Sequence, residues 1–346
     1  MAQSIRLAAV PLAVLGLSAT APSSGAAPAS PAAPSASTAP ATPATAPATP
    51  ARGRVSRDAL GVSAHTPFRF GHRPAALAGG SFTVAGRAGR PAHGRRVIVR
   101  LLRGDRVVAA RRVGIDSSGR FTTVFRPRRP GTFTVRAVLP AAPGRLERRG
   151  RTRVGVYEPA LHAGIRGPLV RWVQAQLHDL GYLDHRATGR WDLATGVAVL
   201  AYRSANGIGG LDEPTHTNLR AIRALRDGRR GFRARYGGHG HHVEVDLSKQ
   251  IVVLLDGRRV DRILHMSSGK RSTPTILGSF RFYRKDPGFN SSGMYNSNYF
   301  VGGYALHGYK FVPDYPDSHG CLRIPMSEAD FVFSWVRNGD RIDIYP

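Results

Sequence analysis

Tyr299-Phe300-Val301-Gly302-Gly303-Tyr304-Ala305-Leu306-His307-Gly308 and, ten positions beyond Gly308, Ser318-His319-Gly320-Cys321-Leu322-Arg323 decide how this chain is read. The apolar residues through Leu306 mark a strand, which His307 ends ahead of Gly308. Cys321 is the only cysteine of the chain, so no disulfide framework and no site of several thiolates can form. An inert buried cysteine sits among apolar residues inside a strand or helix. Cys321 instead follows Asp314-Tyr315-Pro316-Asp317, lies between Gly320 and Leu322, and precedes Pro325. In such a loop a nearby imidazole can tune the thiol. A thiol nucleophile needs a base, and the base a third group that sets its tautomer; by spacing, His307 and His319 both qualify as the base.

Around these two stretches the pattern is β. Val243–Leu247, Ile251–Leu255 and Arg259–Met266 read as strands, the last two joined by the Asp256-Gly257 hairpin signal. Gly278–Tyr283, Tyr299–Leu306 and Arg341–Tyr345 continue them. One helix is expected, with Ser327 as its cap, Asp330 three residues on, and Phe331, Trp335, Val332 and Val336 as its inner face. Residues 241–346 thus form a mostly-β domain with one helix. Ahead of it, Arg226–Gly240 reads as a linker, and His239, His241 and His242 as linker histidines rather than metal ligands; no metal site is expected.

Further upstream the period becomes helical. Val170, Val173, Leu177 and Leu180 line one face before Gly181, a second helix spans about Asp192–Ser204, and a third starts near Pro214. Before that, Phe82/Val84, Val97/Val99/Leu101, Phe121/Thr123/Phe125 and Phe133/Val135/Ala137 alternate with period two. Turn chemistry at Gly104-Asp105 and Asp116–Gly119 separates them, which predicts an immunoglobulin-like β-sandwich over 79–157. Residues 1–27 have the layout of a secretory signal peptide: Arg6, the apolar run Leu7–Leu17, then small residues. A cleaved signal and a retained anchor both fit it. Residues 28–78 are expected to be an Ala/Pro/Ser/Thr-rich disordered linker. The chain is then a multidomain, mainly β protein working outside the cytoplasm, secreted or in the cell envelope.

Composition trims the function classes. The chain carries 50 basic and 22 acidic residues, a net charge of +28, which raises nucleic-acid binding. Yet only four of the basic residues are lysines and the arginines are scattered along the chain, so anionic cell-wall polymers are the more natural partner.

The sequence Val170-x-x-Val-Gln-x-Gln-Leu177-x-x-Leu180-Gly181-Tyr182, with Trp191, Thr195, Val199, Tyr202, Asp212 and Thr215, resembles the three-helix peptidoglycan-binding domain over 162–226. It departs from that pattern at His185–Gly189, where an Asp-Gly pair is usual; any unrelated three-helix bundle would share the apolar positions. The two stretches quoted at the outset, with Ser267-Ser268-Gly269, Thr273-Pro274 and Gly278-Ser279-Phe280, closely resemble the L,D-transpeptidase (YkuD) catalytic domain over 241–346. The resemblance implies Cys321 as nucleophile and His307 as base, with the Gly308 carbonyl orienting the ring. It implies amides near Gly320 and Cys321 as oxyanion donors. His319 would shape the pocket, Arg323 would support the loop or hold the donor peptide, and Ser318 and Tyr304 would be supporting residues. The implied reaction is acyl transfer on peptidoglycan stem peptides: D-alanine leaves a tetrapeptide, a thioester forms, and a second stem's amine takes the acyl group to give a 3→3 cross-link. No cofactor is implied, and acylation by carbapenems is.

Other readings compete. Ser267-x-x-Lys270 fits the Ser-x-x-Lys of penicillin-binding proteins, but neither Ser-Asp-Asn nor Lys-Thr-Gly occurs in the chain. Water in place of the acceptor amine would make the enzyme a carboxypeptidase or hydrolase on the same stems. A non-catalytic wall-binding protein is the third reading, against which the intact Cys321 and His307 argue.

Overall fold

The computed structural model describes residues 60–209 and 219–346. The expected signal peptide, the linker up to residue 59, and the start of the third helix with Asp212, Pro214 and Thr215 lie outside the described residues. Among the described residues no helix is long and apolar enough to cross a membrane.

The first module is a β-sandwich of nine strands. They are β1 (Gly61–His65), β2 (Phe68–Phe70), β3 (Arg73–Leu77), β4 (Phe82–Arg87), β5 (Arg96–Arg103), β6 (Arg106–Gly114), β7 (Arg120–Phe125), β8 (Gly131–Leu139) and β9 (Arg148–Tyr157). One sheet has the order β1-β4-β7 and the other β2-β3-β9-β8-β5-β6. Period-two alternation drives the pairing: Val84, Val97, Val99, Phe121, Phe125, Val135 and Ala137 are buried between the sheets. Strands at 61–77 correct the expectation of a linker reaching residue 78. Phe68 and Leu77 supply buried apolar surface there, enough to order a stretch whose Pro74 and Gly71 read as unstructured.

The described residues of the second module form three helices: α1 (Pro168–Asp179), α2 (Leu193–Ala205) and α3 (Leu219–Arg226). Val170, Val173 and Leu177 are buried on α1, and Gly181 beyond it takes φ 83°, the left-handed stop. Asp192 caps α2 by accepting a hydrogen bond from the Thr195 amide at 2.8 Å. Where the Asp-Gly pair is missing, the buried Gln174 side chain ties the loop instead. It donates to the Arg190 carbonyl at 2.8 Å and accepts from the Gly189 amide at 2.7 Å.

The third module holds β10 (His241–Asp246), β11 (Ile251–Asp256), β12 (Arg259–His265), β13 (Gly278–Arg281), β14 (Arg284–Phe289), β15 (Tyr295–Val301), β16 (Tyr304–Tyr309), β17 (Leu322–Pro325), α4 (Met326–Trp335) and β18 (Arg341–Tyr345). A sheet of order β12-β11-β10-β18-β13 faces one of order β14-β15-β16-β17. Their shared core includes Val243, Val252, Leu254, Phe300, Leu306, Leu322 and Ile324. The stretch read as one strand over 299–306 is a hairpin turning at Gly302, whose φ is 48°.

The other face of β11 is not solvated. Ile251, Val253, Leu255 and Ile263 are buried in one apolar cluster with Val170, Leu177, Val199, Ala201 and Leu225 of the helices. The Ile263 amide donates to the Gly181 carbonyl at 2.8 Å, which adds one rung of main-chain bonding to the β12 edge. The helices therefore complete the catalytic-module sheet.

Four further expectations are corrected. Arg226–Gly240 is a strap rather than a loose linker: the Arg235 and Tyr236 amides donate to the buried Glu244 carboxylate at 2.9 and 2.8 Å, and Tyr182 Oη donates to the Arg230 carbonyl at 2.5 Å. The linker histidines are packed against carboxylates: His239 faces Asp343 and His241 faces Asp340, both at 2.9 Å, while His242, the second residue of β10, lies beside Glu244. Ser327 does not cap α4, because β17 runs straight into the helix through Pro325, and no side chain caps it. The inner face of α4 is Ala329 and Val332, with Val336 after it; Phe331 lies outside under the Arg262 guanidinium, 4.5 Å from the ring centre.

Candidate active site

The parallel pairing of β16 with β17 places the two key stretches side by side. Leu306 lies opposite Leu322 and His307 opposite Arg323. Leu306 and Leu322 both point into the core. Side chains alternate, so His307, Arg323 and Cys321, one step before Leu322, share the opposite face.

His307 is 2% exposed. Its Nδ1 sits 2.9 Å from the Gly308 carbonyl oxygen, which can only accept. Nδ1 therefore carries the hydrogen and Nε2 keeps its lone pair. Burial pushes the imidazole down to about 4, with the Arg323 charge adding to the fall and the Gly308 bond opposing it. Burial pushes the half-buried Cys321 thiol up, partly offset by a backbone hydrogen bond from Ala305 and by Arg323. The resting pair is a neutral thiol and a neutral imidazole, and Cys321 Sγ points to the Gly303 carbonyl at 3.6 Å. Chemically this is a nucleophile whose proton can leave only as attack proceeds, toward a base already in the accepting tautomer.

The loop around Cys321 is tightly built. Ser318 Oγ donates to the Cys321 carbonyl at 2.6 Å and accepts from the Gly320 amide at 3.0 Å. The Gly320 amide, expected as an oxyanion donor, is thus committed inside the loop, because the buried Ser318 hydroxyl turns inward to meet it. Glycine is required at 320 on two counts: φ is 115°, and a Cβ there would lie 2.4 Å from the Tyr304 ring. Tyr304 accordingly packs on the loop. Of the two roles left open for Arg323, its contacts supply the first: it donates to the Asp317 carboxylate at 3.0 Å and lies over the Tyr309 ring. His319 is exposed and meets the Lys270 ammonium at 3.3 Å.

Ser267 and its neighbours form the bed of this loop. The Ser267 amide donates to the Arg323 carbonyl at 2.9 Å, and Ser267 Oγ donates to the Tyr315 carbonyl at 2.7 Å. The Ser268 carbonyl accepts from the Asp317 and Ser318 amides, both at 2.9 Å. Thr275 Oγ1 bridges the Gly269 amide and the Gly320 carbonyl, each at 2.8 Å. Ser267 is fully buried in extended backbone, which answers the Ser-x-x-Lys reading: its hydroxyl is a strut.

Two supports escaped the sequence reading. Gln250, at φ 51°, receives the Ser268 amide at 2.9 Å and donates to Ser268 Oγ at 2.8 Å. His265, fully buried at the end of β12, donates from Nε2 to the Pro313 carbonyl at 2.9 Å, holding the segment that leads to Cys321. Asp314, next in that segment, lies within electrostatic reach of Arg203 on α2. No motif marks Gln250; a histidine closing the apolar run of β12 was the one signal for His265.

Residues 240–344 match the family model of the YkuD L,D-transpeptidase catalytic domain. Among solved structures, the L,D-transpeptidase of Xylanimonas cellulosilytica (its residues 123–326) is 34% identical over 54% of this chain and 98% of that one, with a TM-score of 0.48. That of Stackebrandtia nassauensis is 17% identical over 54% and 95%, with a TM-score of 0.34, and that of Mycobacterium smegmatis 12% over 84% and 100%, with a TM-score of 0.29. Among curated proteins none matches the chain. By its residues 240–344 the chain belongs to the L,D-transpeptidase family of the YkuD type.

Proposed function

We propose that the chain is a secreted cysteine L,D-transpeptidase of the cell envelope that forms 3→3 cross-links through Cys321. The observation that carries this is the face shared by Cys321 and His307, with His307 Nδ1 held by Gly308 and Nε2 left to accept. In the first half-reaction Sγ attacks the carbonyl of the third stem residue while His307 Nε2 takes the thiol proton. Collapse expels D-alanine, whose amine takes that proton from His307 and leaves a thioester. In the second, His307 takes a proton from the acceptor amine as it attacks the thioester, and returns it to the departing sulfur. Every proton is passed on, so neither half needs a cofactor. A carbapenem would be attacked by the same thiol. The three-helix module would hold peptidoglycan strands near the site. Secretion rests on residues 1–27.

Intact-mass spectrometry with a disaccharide-tetrapeptide, beside Cys321→Ser, tests the reading. The expected result is a thioester on the wild type with loss of D-alanine, followed by a cross-linked dimer. Tripeptide without dimer would make the enzyme a hydrolase, and no adduct with retained wall binding would make it a wall-binding protein.

A further inference from the structure

The wall between the sandwich and the helices contains a cleft of ≈ 680 Å³ that the transpeptidase reading leaves without a use. Arg69 and Phe70 of β2 form one side; Arg166, Arg171, Trp172 and Arg190 form the other, and among the described residues no acidic one lines it. Arginine is abundant in this chain, so number alone says little. The placement says more. Arg166 and Arg190 are directly opposite each other in a β-bridge, where like charges are destabilising. Neither they nor Arg69 has a carboxylate within ion-pair distance among the described residues. A group of negative charge seated between them would remove that repulsion.

The rest of the cleft is rigid and chemically mixed. Arg171 is locked by two hydrogen bonds, to the Ala187 carbonyl at 3.2 Å and the Thr188 carbonyl at 3.1 Å. The half-buried Trp172 ring is braced edge-on by Phe68 at 5.2 Å between centroids, with Phe70 at 6.4 Å. The start of α1, at Gly167 and Pro168, also lies on the cleft and has no side-chain cap and no acidic residue in its first turn. An aromatic platform flanked by guanidinium forks suits a sugar ring bearing anionic oxygens, and a cleft between modules is where ligand sites concentrate. Successive bases of a nucleic acid would need several stacking rings in a row, and here Trp172 and Phe70 are the two aromatic residues of the lining.

We infer that this cleft binds an anionic glycan, stacking a sugar on Trp172 and holding its phosphate or carboxylate oxygens between Arg166, Arg190 and Arg69. The inference rests on the cell-wall reading of the chain but not on its catalysis. It gives the sandwich a function, as one jaw of a clamp that keeps the enzyme on charged wall material.

The test compares full-length protein carrying Arg166→Ala/Arg190→Ala with a charge-matched control, Arg112→Ala/Arg136→Ala, which removes two exposed sandwich arginines outside the cleft. Binding is measured to purified walls as isolated, to walls stripped of phosphodiester polymers by hydrofluoric acid, and to walls with amidated carboxylates. The expected result is roughly tenfold weaker binding for the cleft variant and little change for the control. Both variants should keep wild-type transpeptidation of soluble muropeptides. Loss on acid-stripped walls alone assigns phosphate; loss on amidated walls alone assigns carboxylate. Equal weakening of both variants, unchanged binding to both treated walls, or displacement by an oligonucleotide as readily as by soluble wall glycan would overturn the proposal. Transpeptidation lost in the wild type as well would sink the catalytic reading and leave the binding result standing.

Discussion

The sandwich and the helical module meet their neighbours in opposite ways. The main sandwich core, from Leu60 to Val156, draws on sandwich residues alone. The helical core does not close on itself: it takes in Ile251, Val253, Leu255 and Ile263 from the catalytic module, and Phe68, Ala75 and Leu77 from the sandwich edge. A module whose main core is its own can keep that core when its partner is lost. A module that shares a core is part of the partner's fold, whatever its sequence resemblance suggests about separate origin. The helices here are a wall of the catalytic module, and they also reach its working loop through Arg203 and Asp314.

The harshest way to break that contrast is deletion. Removing residues 1–240 should leave a 241–346 fragment that aggregates, because one face of β11 loses its apolar cover; soluble yield and light scattering would show it. A soluble, active fragment would end the comparison. Point substitutions sharpen it. Leu255→Ala should cost about 3 kcal/mol and lower the thermal transition of the third module. Val99→Ala should destabilise the sandwich while that transition stays in place, as calorimetry on both variants would show.

Acid should separate the modules too. His307 is held down to about 4 when folded, against about 6.5 in the unfolded chain. The unfolded state thus binds its proton first as pH falls. Stability is complete above about 6.5 and is lost between there and about 4, by roughly 3 kcal/mol. Burial pushes His265 in the same direction. Denaturant midpoints against pH, followed by activity and by a sandwich probe, should diverge over that window. The acylation rate should hold down to about pH 4, where His307 protonates and can no longer accept. The smallest effect belongs to Asp314→Asn. It should slow acylation severalfold with an unchanged melting temperature, since Asp314 is exposed and faces Arg203 through charge alone. No change in rate would confine the helices to a structural role.

Much of this was legible in local pattern. The helices around Val170–Leu177 and Asp192–Ser204 and the Asp256-Gly257 hairpin announce themselves within a few residues, because periodicity, caps and turn chemistry are short-range effects; of the site, Cys321 stood out as a loop thiol, while spacing left His307 and His319 both open as its base. The strands at 61–77 did not, since their alternation is broken by Pro74 and Gly71 and their worth comes from burial against distant residues. The inner face of α4 was misread for the same reason: Phe331 is as apolar as Val332, but only packing tells which one Arg262 covers. The Gly320 amide looked available as a donor until the Ser318 hydroxyl was seen to occupy it.

By itself the sequence supplied the candidates: one thiol, two imidazoles that its spacing left open as the base, and a glycine beside one of them, all held in motifs a few residues long. The tertiary structure alone decided the protonation of that pair, the bed of serines under the loop, and the fusion of helices to catalytic sheet. Desolvation, hydrogen-bond commitment and shared apolar cover depend on residues far apart in the chain, and no local pattern records them.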